Sequence, residues 1–223
     1  MYMLFENKEK RYKTLLIFII PLIVLLLLFG FLTVNSVSSL FGGNSISSKD
    51  TYDIDEYDYH LRSNATNLQK ELFKELDELI KDGTNDQAIA ESVVKNYVAD
   101  TYTWDNKNGQ WDIGGMCYVY SPHIIAIYNF QKDYFYGLLN QYQDQYGKTG
   151  LLEVISVDVN PSNTTVDKYE CEGKLYTSFR IVCQWEYSEN SRLASRMSNK
   201  QYFQVIQNDD GRFEIVECYG NTY

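Results

Sequence analysis

The longest apolar run in the chain lies close to its N-terminus. Residues 14–34 read TLLIFIIPLIVLLLLFGFLTV, in which seventeen residues are strongly apolar and none is charged. A helix of about 20 apolar residues is long enough to cross a hydrocarbon core of about 30 Å. The pattern therefore predicts one transmembrane helix over residues 14–34.

The charges on either side of this run predict its orientation. Four basic residues lie in the tail 1–13, whereas no charge follows the run until Lys49. By the positive-inside rule the tail is cytoplasmic and the chain after about residue 35 lies outside the cell membrane. A cleaved signal peptide is the alternative, but the apolar run exceeds the usual 7 to 15 residues and no A-x-A-like site follows it. We therefore expect a single-pass membrane protein whose C-terminal domain is extracytoplasmic.

Residues 35–63 show no helical or strand period. They begin with a Ser/Gly-rich stretch and end with the acidic run DTYDIDEYD. Such composition is typical of an extended, flexible linker. Asp53, Asp55 and Asp58 also raise the possibility of a calcium loop, but the glycine and the distal glutamate of an EF-hand are missing. We therefore predict an acidic linker over 35–63 and one folded domain over 64–223.

The first part of that domain has a helical period. A charged, amphipathic stretch predicts a helix over residues 64–82, and Gly83 is suited to end it. A second helix is expected to begin at Asn85 or Asp86. The turn segment WDNKNGQWDIGG follows, and Ser121-Pro122 then predicts a third helix that runs to about Tyr146. The sequence leaves open whether the first helix packs on the domain or extends the tether.

After Gly150 the period changes to two, as in strands. The sequence predicts strands near residues 153–159, 175–187, 197–207 and 212–219, joined by short turns such as Asn208-Asp209-Asp210-Gly211. Short connections favour antiparallel pairing. The expected fold class is α+β: a cone-shaped domain of three helices packed on a curved four-stranded antiparallel sheet.

Composition narrows the classes of function. The chain has 30 acidic against 20 basic residues and a formal net charge of −10. Phosphate backbones need a basic surface, so direct nucleic-acid binding is not expected. Two histidines and the absence of any CxxC pair argue against a zinc site, and no metal or cofactor is expected. Buried thiols and one or two disulfides both remain open for the four cysteines, Cys117, Cys171, Cys183 and Cys218.

The order of the elements resembles a known family. The segment 90–115, AESVVKNYVADTYTWDNKNGQWDIGG, runs into a tyrosine-rich third helix. It resembles the outer domain of the bitopic inner-membrane scaffold subunit of type IV secretion and conjugation systems, VirB-eight-like and TcpC-like in Gram-positive bacteria, which has a nuclear-transport-factor-two-like fold. The resemblance implies a non-enzymatic scaffold of a conjugative transfer channel that forms homo-oligomers and docks other membrane subunits of the channel. It transfers no catalytic residue and no cofactor.

Cone-shaped folds of this kind can also enclose a pocket, which provides the alternative function: an extracytoplasmic ligand-binding or enzymatic domain. The candidate pocket residues are Asp112, His123, Trp104 and Trp185, with Asp100 and Asp105 as further acids. The tryptophans are also suited to the core, and a single histidine in the first turn of a helix is often a packing residue. A third hypothesis, an envelope protein that binds wall polymers, rests on the compartment alone.

The third predicted helix contains more aromatic residues than one buried face can hold. Tyrosine and phenylalanine are enriched at the centres of protein interfaces. We therefore predict that part of this aromatic set is a partner or oligomer surface. The candidates are Tyr128, Phe130, Tyr134, Tyr136 and Tyr142.

Overall fold

The computed structural model describes residues 53–219. The predicted cytoplasmic tail, transmembrane helix and first part of the linker lie outside these residues. No helix between residues 53 and 219 is long and apolar enough to cross a membrane. The described part is an α+β domain in which three helical regions accompany a five-stranded sheet.

The end of the predicted linker belongs to the folded domain. Two short strands, β1 (Asp53–Ile54) and β2 (Tyr59–His60), form an antiparallel pair. Ile54 and Tyr59 are buried, and the Tyr59 hydroxyl donates a hydrogen bond of 2.5 Å to the carbonyl oxygen of Phe213. The boundary predicted at residue 64 is therefore too late. The acidic residues around these strands point to solvent. Because they outnumber the few apolar residues that anchor the segment, the sequence shows no pattern of burial there.

Two helices follow and pack against each other and the sheet; the first is amphipathic and the second is buried on most of its sides. Helix α1 (Asn67–Asp82) begins with a capping box between Thr66 and Gln69, and Gly83 ends it with a positive φ of 63°. Helix α2 (Asp86–Thr101) has Asn85 as its N-cap, as predicted. Helix α1 packs on the domain, since its apolar stripe is buried. That stripe comprises Leu72, Phe73, Leu76 and Ile80.

The third predicted helix is broken into three pieces. Helix α3 (Ile124–Phe130) continues into a π-helical turn (Gln131–Phe135), and helix α4 (Leu139–Tyr146) begins after a break. The turn is closed by a 2.8 Å bond from the Tyr136 N–H to the Gln131 carbonyl. A π turn inserts one residue into the helical repeat. After this turn Leu138, within the helix that the sequence predicted, is 51% exposed.

The main sheet has five antiparallel strands rather than four. A long central strand, β5, pairs along one edge with β4 and then β3, and along the other edge with β6, which pairs with β7. The strands are β3 (Val154–Val159), β4 (Thr165–Cys171), β5 (Lys174–Tyr187), β6 (Lys200–Gln207) and β7 (Phe213–Tyr219).

Strand β4 is the one that the sequence failed to predict. Most of its residues are exposed, so its sequence lacks the alternation that marks a half-buried strand. It is joined to β5 by a two-residue turn at Glu172 and Gly173, both of which have positive φ. Such a turn matches the twist of a hairpin. The other strands were predicted within a few residues because one of their faces is buried.

The buried face of β5 lies in the second half of the strand, whereas Leu175, near its start, is 65% exposed. Its alternating residues Phe179, Ile181, Cys183 and Trp185 are all buried. Aromatic rings continue this core towards the helices, where Trp185 stacks on Tyr102 at 4.5 Å between ring centroids. Burial of large rings contributes most of the hydrophobic stabilisation in a core of this kind.

A partly buried carboxylate at the end of α2, that of Asp100, connects three separate segments. Asp100 Oδ1 accepts hydrogen bonds from Arg62 Nε at 2.7 Å and from Lys107 Nζ at 2.8 Å. Its Oδ2 accepts the backbone N–H of Gly115 at 2.7 Å. Asp100 therefore connects the segment before α1, through Arg62, with the turn after α2, through Lys107 and Gly115.

Lys107 is the least accessible member of this group, with a side chain that is 0% exposed. Burial lowers its pKa to about 8, against the attraction of Asp100. Burial alone would raise the pKa of Asp100, but the charges of Lys107 and Arg62 outweigh it and hold that pKa well below its usual range. Both partners are therefore charged at neutral pH. A buried charge of this kind is tolerated only while its partner is present.

The turn after α2 requires glycine where it approaches Asp100. A Cβ on Gly114 would come within 2.3 Å of the Asp100 carbonyl oxygen, and Gly115 has a φ of 77°. Tyr136 holds the same turn from the other side: its hydroxyl donates to the Thr101 carbonyl at 2.6 Å and accepts the Gly114 N–H at 3.3 Å. The paired glycines thus permit the close contact as well as the chain reversal that the sequence predicted.

We predict that Asp100→Asn destabilises the domain by about 3 to 5 kcal/mol, because it leaves the buried Lys107 without a full counter-charge. The measurement is urea unfolding of the full chain in detergent micelles, followed by tryptophan fluorescence. Asp144→Asn, at an exposed carboxylate on α4, is the control and should change little.

The effect should depend on pH. The pKa of Asp100 is lowered from an ordinary value of 3.8, so the stability that its charge supplies is present above about pH 4 and is lost as the pH falls through the lowered pKa. The difference in unfolding free energy between the native chain and Asp100→Asn should therefore shrink in acid. A difference that stays constant from pH 7 to about pH 2 would contradict the assigned role.

Candidate functional site

Large exposed apolar side chains concentrate on one connection of the domain. Within residues 53–219, five of the eight large hydrophobic residues that are exposed lie between positions 111 and 138. We call these five the exposed apolar surface. They are Trp111, Ile125, Phe130, Tyr134 and Leu138, with exposed fractions of 61, 67, 59, 76 and 51%.

The path of the chain through the π turn explains this exposure. The turn directs Phe135 and Tyr136 into the core, where they contact the ring of Trp104 at 4.9 and 5.7 Å between centroids. The rings of Phe130 and Tyr134 remain outside and pack on each other at 4.9 Å. The exposure of Phe130 and Tyr134, which precede this inward-directed pair in the chain, is thus a consequence of one local irregularity.

The exposed apolar surface is nearly free of net charge. Lys132 and Asp133, between Phe130 and Tyr134 in the sequence, form an ion pair of 3.7 Å with each other. The backbone of Trp111 is fixed by a hydrogen bond, since its carbonyl oxygen accepts a 3.0 Å bond from the Tyr128 hydroxyl. The indole is therefore anchored through its backbone while its ring faces solvent. A rigid aromatic ring loses little conformational entropy when a partner covers it.

The five predicted partner residues differ in their exposure to solvent. Phe130 and Tyr134 are exposed, as the prediction requires. Tyr128 and Tyr142 are half-buried, and Tyr142 stacks on Tyr146. Tyr136 is fully buried and cannot belong to a surface. Its inclusion was wrong, because its hydroxyl has partners in the α2 turn that are distant in sequence.

The four candidate pocket residues lie in different surroundings. Trp104 and Trp185 are each 1% exposed and belong to separate clusters of the hydrophobic core. Asp112 accepts hydrogen bonds from the Arg62 guanidinium at 3.3 Å. His123 lies near β7, with Nδ1 3.4 Å from the Val216 carbonyl oxygen. The contacts of the tryptophans are those of core aromatics, the role that the sequence also allowed.

The two further acids also have local roles. Asp100 is engaged by Arg62 and Lys107, as described above. Asp105 is half-buried, and burial and the nearby charge of Glu153 raise its pKa. Its backbone N–H donates to the Leu152 carbonyl at 3.2 Å, which ties the turn to the start of β3.

All four cysteines are free thiols. Cys171 and Cys183 are buried, and burial raises the pKa of Cys117 to about 12. Thiols of this kind are poor nucleophiles at neutral pH. Across residues 53–219 no group of three or more His, Cys, Asp or Glu side chains is placed to hold a metal ion.

Comparisons with known proteins returned no match. Neither a protein-family description, nor a curated protein, nor a solved structure is significantly similar to this chain. The sequence reasoning also missed Trp111, Ile125 and Leu138 as surface residues. The only available signal was for Trp111, which stands among Asn, Asp, Gly and Gln in a turn.

Two neighbouring tyrosines on this connection allow a direct test. Tyr136→Phe should lower the free energy of unfolding by about 1 to 3 kcal/mol, because it leaves the Thr101 carbonyl and the Gly114 N–H without their buried partner. Tyr134→Phe should change it by less than about 0.5 kcal/mol, since its hydroxyl is in solvent. Urea unfolding of both variants is the measurement. Equal effects would show that the two side chains are not in the opposite environments described here.

Proposed function

We propose that this protein is a non-enzymatic, membrane-anchored scaffold subunit of a conjugative transfer channel of the type IV secretion class. It acts through self-association and through docking of partner subunits in the membrane. On this proposal the domain has the cone-shaped, nuclear-transport-factor-two-like fold that the sequence suggested. The N-terminal segment anchors the domain outside the cell membrane.

The observation that carries the proposal is the exposed apolar surface. Monomeric soluble domains rarely expose several large apolar side chains together, and where they do, the patch is often a contact site. Trp111, Phe130 and Tyr134 provide three aromatic rings, a residue class that dominates binding energy at interfaces. Self-association or docking would remove these rings from water without repacking the core.

The anchor predicted from the sequence supports the same proposal. A single span fixes many copies of the domain in one plane, which raises their effective concentration and makes a modest interface sufficient. The acidic composition agrees with a role in protein contacts rather than in binding DNA directly. The resemblance of segment 90–115 to the scaffold subunit is the reason for choosing a conjugative channel over other assemblies.

The alternative of a catalytic or ligand-binding pocket gains less support. It requires Asp112 or His123 to face a polar cavity with a free functional group. Asp112 Oδ1 accepts from Arg62, and Asp112 Oδ2 accepts from the Asn108 N–H at 2.9 Å and its side-chain amide at 3.1 Å. The carboxylate therefore already has the partners of a structural residue.

We predict that Phe130→Glu and Tyr134→Glu abolish self-association while leaving the domain folded. Each change puts a charge on the exposed apolar surface, which an interface would have to bury unpaired. The measurement is crosslinking of the full chain in intact membranes, with the captured proteins identified by mass spectrometry. DNA transfer between cells should fall in parallel.

Leu175→Glu is the matched control, because Leu175 is 65% exposed but lies on a different element, the β4–β5 hairpin. It should leave crosslinking and transfer unchanged. Recovery of the monomer alone from the native chain would contradict the scaffold proposal. Capture that is equally strong in the native chain and in Phe130→Glu would instead show that another surface makes the contact.

A further inference from the structure

The exposed apolar surface lies in a segment that is almost free of charged residues. Between Asp112 and Asp144 the sequence has one lysine, Lys132, one aspartate, Asp133, and no arginine or glutamate, although 22% of the whole chain is charged. Four of the five residues of that surface belong to this segment. Because the chain carries a formal net charge of −10, the apolar surface is a neutral segment of a strongly acidic protein.

This distribution of charge favours a second copy of the chain as the partner. Two strongly acidic copies repel each other, and the repulsion is smallest when they meet through a surface without net charge. A basic partner, in contrast, would be steered towards the acidic surfaces elsewhere on the domain. The neutral segment therefore fits another copy of this chain better than it fits a partner selected by charge.

The two charges within the segment are both available to a partner. The side chains of Lys132 and Asp133 are 33% and 61% exposed. Their ion pair within the chain is long, 3.7 Å between Nζ and Oδ1, and neither side chain makes a hydrogen bond with any residue from 53 to 219. Consecutive residues of a helix do not face each other, so this pair leaves both groups poorly satisfied.

A two-fold symmetric contact would satisfy both charges at once. In such a contact, each pair of residues that face each other across the axis is formed twice. Lys132 of each copy would then pair with Asp133 of the other copy, which gives two ion pairs between copies. A head-to-tail contact with a different surface has no such reciprocity. A two-fold axis normal to the membrane would also leave both predicted anchors in the same bilayer.

We propose that the exposed apolar surface binds the same surface of a second copy about a two-fold axis. Phe130 and Tyr134 are covered in this contact, and Lys132 pairs with Asp133 of the second copy. Burial of the rings supplies affinity, whereas the reciprocal ion pairs select the partner and its orientation. This inference rests on the self-association in the proposed function and adds the symmetry and the residues that determine it.

The test is a charge-swap experiment on the full chain in vesicles of neutral phosphatidylcholine. Each chain has a donor or an acceptor fluorescent protein fused to its N-terminus, and energy transfer between copies is measured against protein density. Lys132→Asp alone and Asp133→Lys alone each place like charges opposite each other, so each should weaken association about tenfold or more. Asp133→Lys also makes the chain less acidic, so general repulsion cannot explain its weaker association.

A mixture of the two variants is the decisive measurement. When Lys132→Asp chains meet Asp133→Lys chains, both pairs across the axis join opposite charges, and energy transfer should return to near the native level. The control is Lys81→Asp on α1, which reverses an exposed lysine with a local ion pair to Asp77 and should associate as the native chain does. All these variants should unfold at the urea concentration of the native chain, because the changed side chains lie at the surface.

Two sets of outcomes are distinguishable. Variants that associate as tightly as the native chain, or a mixture as weak as each variant alone, would overturn the two-fold contact but leave self-association standing. Weakening by Lys132→Asp without weakening by Asp133→Lys would do the same, because it indicates an acidic partner elsewhere. Absence of energy transfer in the native chain would overturn this inference together with the self-association. Normal DNA transfer after deletion of the protein, with the swap result as expected, would overturn only the channel role.

Discussion

The fold depends on the partly buried carboxylate of Asp100, which pairs with the fully buried Lys107. Asp100 lies where helix α2 ends, and it binds Arg62 from the entering segment and Lys107 from the turn that follows. Hydrophobic burial can bring these segments together, but it does not specify their register. A buried ion pair with directional hydrogen bonds does so, because a displaced partner would leave a charge in a dry interior. The position of the turn that carries Trp111 is fixed in this way.

The parts of the fold that the sequence predicted share one physical property. Helices α1 and α2 and strands β5 to β7 bury residues over much of their length: α1 and β5 mainly along one face, and α2, β6 and β7 on more than one side. Burial of this extent leaves a hydrophobic pattern in the sequence. Strand β4 is exposed on most of its length, and the segment 53–63 contributes few buried residues to an acidic surface. In both places the stabilising contacts come from elsewhere in the chain. Such contacts cannot be predicted from the local periodicity of hydrophobic residues.

The candidate site was predicted at the level of the segment but not of the residue. An excess of aromatic residues between 128 and 142 correctly indicated that some rings are exposed. Which ring is buried was decided by a hydrogen bond between Tyr136 and Thr101, 35 positions apart. The π turn that separates Tyr134 from Tyr136 has no signature in composition. The structural roles of Arg62 and Lys107 could not be predicted for the same reason, because both depend on contacts with Asp100 that only the fold creates.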